Sequence, residues 1–338
     1  MSGPFAPGKL PLSLMRGLLE SVRRDDPRVM VGPRIGEDAA VLDFGDRYLV
    51  AKTDPITFAT DEIGYYAVTV NANDIATRGA TPRWFLACVL LPEGRTDAAF
   101  VERIFGQVSS ACDALGIVPV GGHTEVTAGL DRPVIAGAML GEVARERLVS
   151  TSGLRVGDHV VLTKSVPLEG ASVLAREKRV ELLAAGLAPG DLDVAAGFLH
   201  DPGISVVRDA QVAVEAGGVT AMHDPTEGGV ATALVEMALA AGVGLRVARG
   251  RIPVDPRAAL LCAHLGIDPL GTLSSGALLI GVEPDRVADV MRALTASGIP
   301  AADVGRAVGA SEGMLYEADD GSTEPVLAFE QDEIARVL

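Results

Sequence analysis

Cysteine, basic charge, long apolar runs and the commonest nucleotide-binding loops are all scarce in this chain of 338 residues, and each shortage excludes something. Cys88, Cys112 and Cys262 stand far apart in apolar surroundings with no C-x-x-C pair. That pattern indicates neither a disulfide framework nor a zinc site, and it fits a reducing cytoplasm. Only 29 Lys and Arg face 45 Asp and Glu, a net charge of −16. Nucleic acid and anionic membrane need clustered cations, so neither is expected as a partner. The apolar run from Trp84 to Leu91 is too short to span a bilayer. Leu10 to Leu19 is interrupted by Arg16 and followed by Arg23, Arg24, Asp25 and Asp26, unlike a signal peptide. Neither G-x-x-x-x-G-K-[ST] nor G-x-G-x-x-G occurs, so a nucleotide would have to be held in another way. There is no convincing repeat and no low-complexity tract.

What is present suits a loop-rich globular protein: 48% hydrophobic residues and 39 glycines, in a length that exceeds one ordinary core. Two domains are expected, at 36–150 and 151–338 after a flexible leader over 1–35, with the boundary in the turn-rich segment Arg145 to Gly157. Alternation and turn residues predict strands over Ala39–Leu42 and Tyr48–Thr53, which puts Asp54 at a strand's carboxyl end. Apolar spacing predicts a helix over Ile63–Arg78, stopped by Gly79 and Pro82, with Asn71, Asp74 and Arg78 on one face. A buried strand over Trp84–Leu91, a helix over Phe100–Leu115 and strands over Ile117–Val120 and Val134–Leu140 follow. Beyond the boundary, strands are predicted at His159–Thr163, Val219–His223, Gly276–Val282 and Ala301–Val308. Helices are predicted through the charge-rich stretch to Gly190, at Val230–Ala241 and at Arg286–Leu294. Periodicity alone gives a mixed α/β fold.

Four acidic segments lie where these elements end: Gly36-Glu37-Asp38-Ala39-Ala40, Lys52-Thr53-Asp54-Pro55, Asn73-Asp74-Ile75-Ala76 and Asp224-Pro225-Thr226-Glu227-Gly228-Gly229. Carboxylates from several loops suit a hard divalent ion with polyphosphate, because Mg2+ takes oxygen ligands and leaves room for substrate phosphate. Each segment also has a plain reading. Glu37-Asp38 can be a solvated turn and Asp54-Pro55 ordinary turn initiation. Asp74 and Arg78 can be a surface i,i+4 ion pair. Gly121-Gly122-His123-Thr124 can be a tight turn with an exposed histidine, and Asp224-Pro225-Thr226-Glu227 a helix N-terminal cap. Gly228-Gly229 at a helix N-terminus offers free N–H groups to an anion.

Taken together, these motifs resemble the superfamily of aminoimidazole ribonucleotide synthetase, thiamine-monophosphate kinase, selenide water dikinase and the hydrogenase maturation protein HypE. Gly36–Leu42 is similar to its G-D-D-A-A-V-L, Asn73–Ala80 to N-D-[IL]-A-x-x-G-A and Gly121–Thr124 to G-G-[DH]-T. Asp224–Leu234 resembles the HypE form D-P-T-R-G-G-L-A-T-A-L, with Glu227 in place of Arg. The resemblance runs from about Gly8 to the C-terminus. It implies a two-domain α/β (α+β type) PurM-like fold, dimeric through the sheet of its N-terminal domain, with Mg-ATP held between the carboxylates of that domain and the glycine loop of the second.

On this reading Asp38, Asp54, Asp74 and Asp224 bind Mg2+. Lys9, Asn73, Gly121, Gly122, Thr124, Gly228 and Gly229 contact ATP, and His123, Lys52 and Glu227 carry the chemistry. The implied function is activation of a carbonyl or amide oxygen of a small acceptor by phosphorylation. Where HypE ends in a cysteine that carries its substrate, this sequence ends Arg336-Val337-Leu338, so a different acceptor is expected. A thiamine-monophosphate kinase-like phosphotransferase and a non-catalytic nucleotide-binding maturation partner remain as alternatives. The selenide water dikinase reading lacks its N-terminal cysteine. A homodimer and a maturation-protein partner are the implied associations.

Overall fold

The computed structural model describes residues 5, 10, 12–57 and 61–338. Two compact units emerge: Asp25–Gly32 with Asp38–Leu148, called here the N-terminal unit, and Pro33–Glu37 with Val149–Leu338 and the stretch through Arg24, called the C-terminal unit. The N-terminal unit ends at Leu148, and Gly36 and Glu37 group with the C-terminal unit. Within the stretch expected as a leader lie helix α1 (Leu12–Val22) and strand β1 (Val29–Val31). No helix among the described residues is long and apolar enough to cross a membrane.

The N-terminal unit is a six-stranded sheet carrying two helices. Strands β2 (Ala40–Asp43), β3 (Arg47–Ile56), β4 (Thr81–Pro92), β5 (Val118–Thr127) and β6 (Val134–Ala144) join β1 in the order β1-β2-β3-β6-β4-β5. Helix α2 (Ile63–Ala76) is buried along almost its whole circumference, its polar Asn71, Asn73 and Asp74 included. Four of its residues, Ile63, Val68, Val70 and Ile75, are β-branched Ile or Val, so packing rather than intrinsic propensity holds it. Glycines admit it. A Cβ on Gly137 would stand 2.4 Å from the Asn71 amide nitrogen, one on Gly141 2.3 Å from Ile75, and one on Gly64 2.7 Å from the Ile104 carbonyl of α3 (Ala98–Leu115). Gly137 and Gly141 are four apart on β6 and so face the helix together. Asp97 caps α3 by accepting from the Phe100 N–H, and Gly116 ends it in the left-handed conformation.

The C-terminal unit has a seven-stranded sheet, built from β7 (His159–Thr163), β8 (Val219–His223), β9 (Gly244–Ala248), β10 (Leu279–Val282), β11 (Ala301–Val308), β12 (Met314–Glu317) and β13 (Thr323–Pro325). The order is β13-β12-β9-β11-β7-β10-β8. Its helices are α4 (Leu168–Glu177), α5 (Arg179–Ala184), α6 (Pro189–Gly197), α7 (Val207–Ala216), α8 (Gly229–Ala241), α9 (Pro256–Leu265) and α10 (Val287–Ala296). Helix α8 lays Val230, Leu234 and Met237 into a core shared with Leu162, Val247 and Leu279 of the sheet. A second core joins α4, α5, α6 and α9 through Leu174, Leu182, Leu192 and Leu261, and closes on Ile334 near the C-terminus.

Two chain segments differ from expectation. The strand expected to end at Val120 continues to Thr127, so Gly121-Gly122-His123-Thr124 is extended chain rather than a tight turn. The cause is parallel pairing with β4, where Gly122 lies so close to Ala87 that a Cβ would overlap its carbonyl oxygen. The glycine pair therefore permits a close approach between strands. Asp54-Pro55 likewise lies inside β3, with Asp54 opposite Gly137 and Pro55 opposite Ala136 of β6.

Candidate functional site

In the N-terminal unit, β3 and α2 assemble a half-buried charge cluster. Lys52 and Asp54 are two apart on β3 and so point to one face. The Lys52 ammonium lies 3.0 Å from Asp74 Oδ2 and 3.4 Å from Asp54 Oδ2. Asp74 comes from α2 and is 3% exposed. Burial pushes the Lys52 ammonium toward neutrality, but the charges of Asp74, Asp54 and Asp38 outweigh it and raise the pKa above the ordinary lysine value.

The backbone of Asp54 is fixed from the helix side. Asn71 Oδ1 accepts the Asp54 N–H at 2.9 Å, while Asn71 Nδ2 donates to the Asp54 carbonyl at 3.2 Å and to the Ala67 carbonyl at 2.9 Å. Asn71 thus acts like a short strand partner for Asp54, reached across the space that Gly137 leaves open. Arg78, fully buried just past α2, donates to Asp38 Oδ2 at 2.9 Å.

Asp74 and Arg78 are not at the surface: both are buried. Asp74 meets Lys52 and Arg78 meets Asp38, because a buried charge needs a close counter-charge. The solvated-turn reading of Glu37-Asp38 also fails: Asp38 holds Arg78, and in the C-terminal unit Glu37 Oε1 accepts from the Ser152 hydroxyl at 2.7 Å.

Asp38, Asp54, Asp74 and Asp224 were expected to ligate Mg2+, the first three of them in this unit. As folded, Lys52 already joins Asp54 to Asp74 and Arg78 already holds Asp38, so these donors do not fit an ion bridging Asp54 and Asp74. The residue pattern could not show this, because which cation meets which carboxylate is decided by packing.

His123 and Thr124 lie elsewhere in the same unit. Asp54, Gly137, Ala87 and Gly122 form one row across β3, β6, β4 and β5, which puts the His123 strand about 14 Å from β3 at about 4.8 Å per strand. Within one chain His123 is thus not brought to the Lys52 cluster. Its Nε2 lies 3.0 Å from Glu125 Oε2 on the exposed edge strand. Asn73 is fully buried and its carbonyl accepts the Thr77 N–H, so its side chain is enclosed rather than presented. Lys9 lies outside the described residues.

In the C-terminal unit, Asp224 follows β8 and is buried, while Glu227 is half-buried in the loop leading to α8. The N-cap of α8 is Gly228, and the Thr226 carbonyl just before it accepts the Gly229 N–H at 3.0 Å. Gly228 and Gly229 both have positive φ, and a Cβ on Gly229 would meet the Leu270 carbonyl at 2.4 Å. The Gly228 N–H is already taken: it donates to Asp332 Oδ2 at 2.6 Å. An anion does sit at this helix start, and it is the chain's own carboxylate. Burial pushes Asp332 up to about 6, against backbone N–H donors that favour its charged form.

Glu169, in the first turn of α4, was not anticipated. It is 6% exposed, Ser275 hydrogen-bonds it, and its Oε2 has no hydrogen-bond partner among the described residues. Burial pushes its carboxyl up to about 8, and the charges of Glu227, Asp332 and Asp224 add to the effect. Glu169 and Asp332 stood in no recognised motif. The one available signal was a Glu in an otherwise apolar helix start, Pro167-Leu168-Glu169-Gly170.

Comparison with known proteins matches residues 36–143 to the AIR synthase related protein N-terminal domain and residues 155–316 to the corresponding C-terminal domain. Carbamoyl dehydratase HypE of Rhodobacter capsulatus is 31% identical over 314 residues, spanning 89% of this chain and 88% of that protein. Among solved structures, HypE in a HypE–HypF complex superposes with a TM-score of 0.75 at 22% identity, over 94% of this chain and 99% of that one. HypE in complex with ATP superposes with a TM-score of 0.72 at 23% identity, over 96% and 94%. Both share the fold described above.

Proposed function

Because this chain belongs to the AIR synthase related protein family, with HypE among its relatives, we propose that it is an ATP-using enzyme that activates a carbonyl or amide oxygen of a small acceptor by phosphorylation. Phosphorylation turns a poor oxygen leaving group into a good one, and such transfer depends mainly on positioning and charge neutralisation. The observation that carries this reading is the Lys52–Asp54–Asp74 cluster, whose ammonium is fixed by two carboxylates and by the Asn71 clamp on Asp54. A cation held in this way costs little reorganisation when it meets a phosphate oxygen. The carbamoyl dehydratase relative and the HypE–ATP complex support both the nucleotide and the acceptor class.

The test is to incubate the protein with Mg-ATP and a panel of small amides and carboxamides, following phosphate release and acceptor mass. Turnover that depends on one acceptor class, with the acceptor gaining phosphate or losing water, supports the reading. ATP that is neither bound nor consumed with any acceptor removes it.

The proposal includes a homodimer formed through β5. Its support is that every residue from Val118 to Val126 on this edge strand is exposed, with Val118, Val120 and Val126 each more than half so. An exposed apolar edge calls for a cover. Sedimentation of the wild-type chain and of Val120→Lys checks it, with dissociation expected in the variant. A maturation-protein partner belongs to the same reading, supported by the relative solved with HypF.

A further inference from the structure

We propose that Lys52 is a built-in counter-ion that takes the place of a divalent cation between Asp54 and Asp74, so that this pair binds no metal of its own and any metal the nucleotide needs arrives with it. The inference rests on the proposed activity for the nucleotide, while the exclusion of a metal from Asp54 and Asp74 stands on the geometry alone.

Two observations carry it. The first is position. The Lys52 ammonium lies 3.0 and 3.4 Å from one oxygen of each carboxylate. A magnesium ion bridging those oxygens would need to sit about 2.1 Å from both, inside the space that the ammonium and its hydrogens occupy. The second is charge. Asp38, Asp54 and Asp74 contribute three negative charges, and Lys52 and Arg78 return two positive ones through ion pairs of 2.9–3.4 Å. A divalent ion entering the Asp54–Asp74 bridge would have to drive out Lys52, whose side chain is only 18% exposed. That would leave a largely buried ammonium without its carboxylates, at a desolvation cost with no offset.

Lysine has a functional advantage here over a bound ion. It is always present, it is held on a strand rather than exchanged with solvent, and its three donors can meet two carboxylates and still face a phosphate oxygen. The geometry therefore makes Lys52 the residue that sets the metal requirement of this cluster.

The test needs no nucleotide, so its failure and that of the proposed activity can be told apart. Full-length wild-type protein, Lys52→Gln and Asp54→Asn are titrated with MnCl2 by calorimetry, and their thermal unfolding is followed with and without Mn2+. The wild type is expected to show no saturable Mn2+ site that Asp54→Asn weakens, and no Mn2+-dependent shift in Tm that Asp54→Asn removes. Lys52→Gln is expected to unfold at lower temperature without metal, to recover on adding Mn2+, and to bind Mn2+ at least tenfold more tightly than the wild type. A micromolar Mn2+ site in the wild type that Asp54→Asn abolishes would overturn the inference. So would a Lys52→Gln protein whose Tm and Mn2+ affinity do not respond to metal.

Discussion

Replacing Glu169 by Gln should make the protein more stable at alkaline pH, and the size of the effect follows from the burial of this one carboxyl. In the folded chain its pKa is pushed from 4.5 up to about 8, first by burial and then by Glu227, Asp332 and Asp224. A group whose folded value is raised binds its proton more tightly in the folded state, so between about 4.5 and 8 the folded chain carries more protons than the unfolded one. Stability contributed by the protonated carboxyl is complete below this window and is lost as pH climbs through it. At about 1.4 kcal/mol per pH unit, the ceiling on that loss is about 5 kcal/mol. Local relaxation and water entry absorb part of it, so about 2–4 kcal/mol is expected in practice. Urea unfolding of wild type and Glu169→Gln at half-unit steps from pH 5 to pH 9 reads this directly. The two should be similar at pH 5 and diverge steadily above it, with the variant more stable at pH 9. Parallel profiles across the whole range would refute the claim that Glu169 is held protonated by its surroundings.

Three further expectations follow from packing and hydrogen bonding. Asp332→Ala leaves the Gly228 N–H, buried at the start of α8, without its acceptor. It should cost about 1–3 kcal/mol in urea unfolding, whereas Asp332→Asn, which keeps an acceptor, should cost less. Gly137→Ala places a Cβ 2.4 Å from Asn71 Nδ2 and 2.9 Å from the Phe85 ring. It should cost about 1–3 kcal/mol by overpacking, and amide exchange at Asp54 should speed up as the Asn71 clamp is displaced. Leu234→Ala removes a fully buried side chain from the α8 core and should cost about 2–5 kcal/mol by calorimetry.

Much of the C-terminal unit was legible before any coordinates. The expected strands His159–Thr163, Val219–His223 and Ala301–Val308 coincide with β7, β8 and β11, because apolar runs bounded by turn residues are a local signal. Helix α2 begins at Ile63 as expected, and its end near Gly79 and Pro82 is also written locally. Other elements carried no such signal. The short strands β9, β12 and β13 pair with each other or with β11 from distant parts of the chain, and their spacing says nothing about those partners. Strand β5 reads as a turn at Gly121-Gly122 because paired glycines usually mark one. Only pairing with β4 keeps it extended.

The candidate site divides along the same line. The order of residues was enough to bring forward Asp38, Lys52, Asp54, Asp74 and the Gly228-Gly229 loop as candidates, since these motifs are contiguous and their residue types are themselves the signal. Who holds whom was not in that order. Lys52 meets both Asp54 and Asp74, Arg78 meets Asp38, and Asp332 reaches back 104 residues to the Gly228 N–H. Each of these is a contest between desolvation and a nearby counter-charge or donor. Its outcome depends on distances of about 3 Å that exist only once sheet and helix have packed.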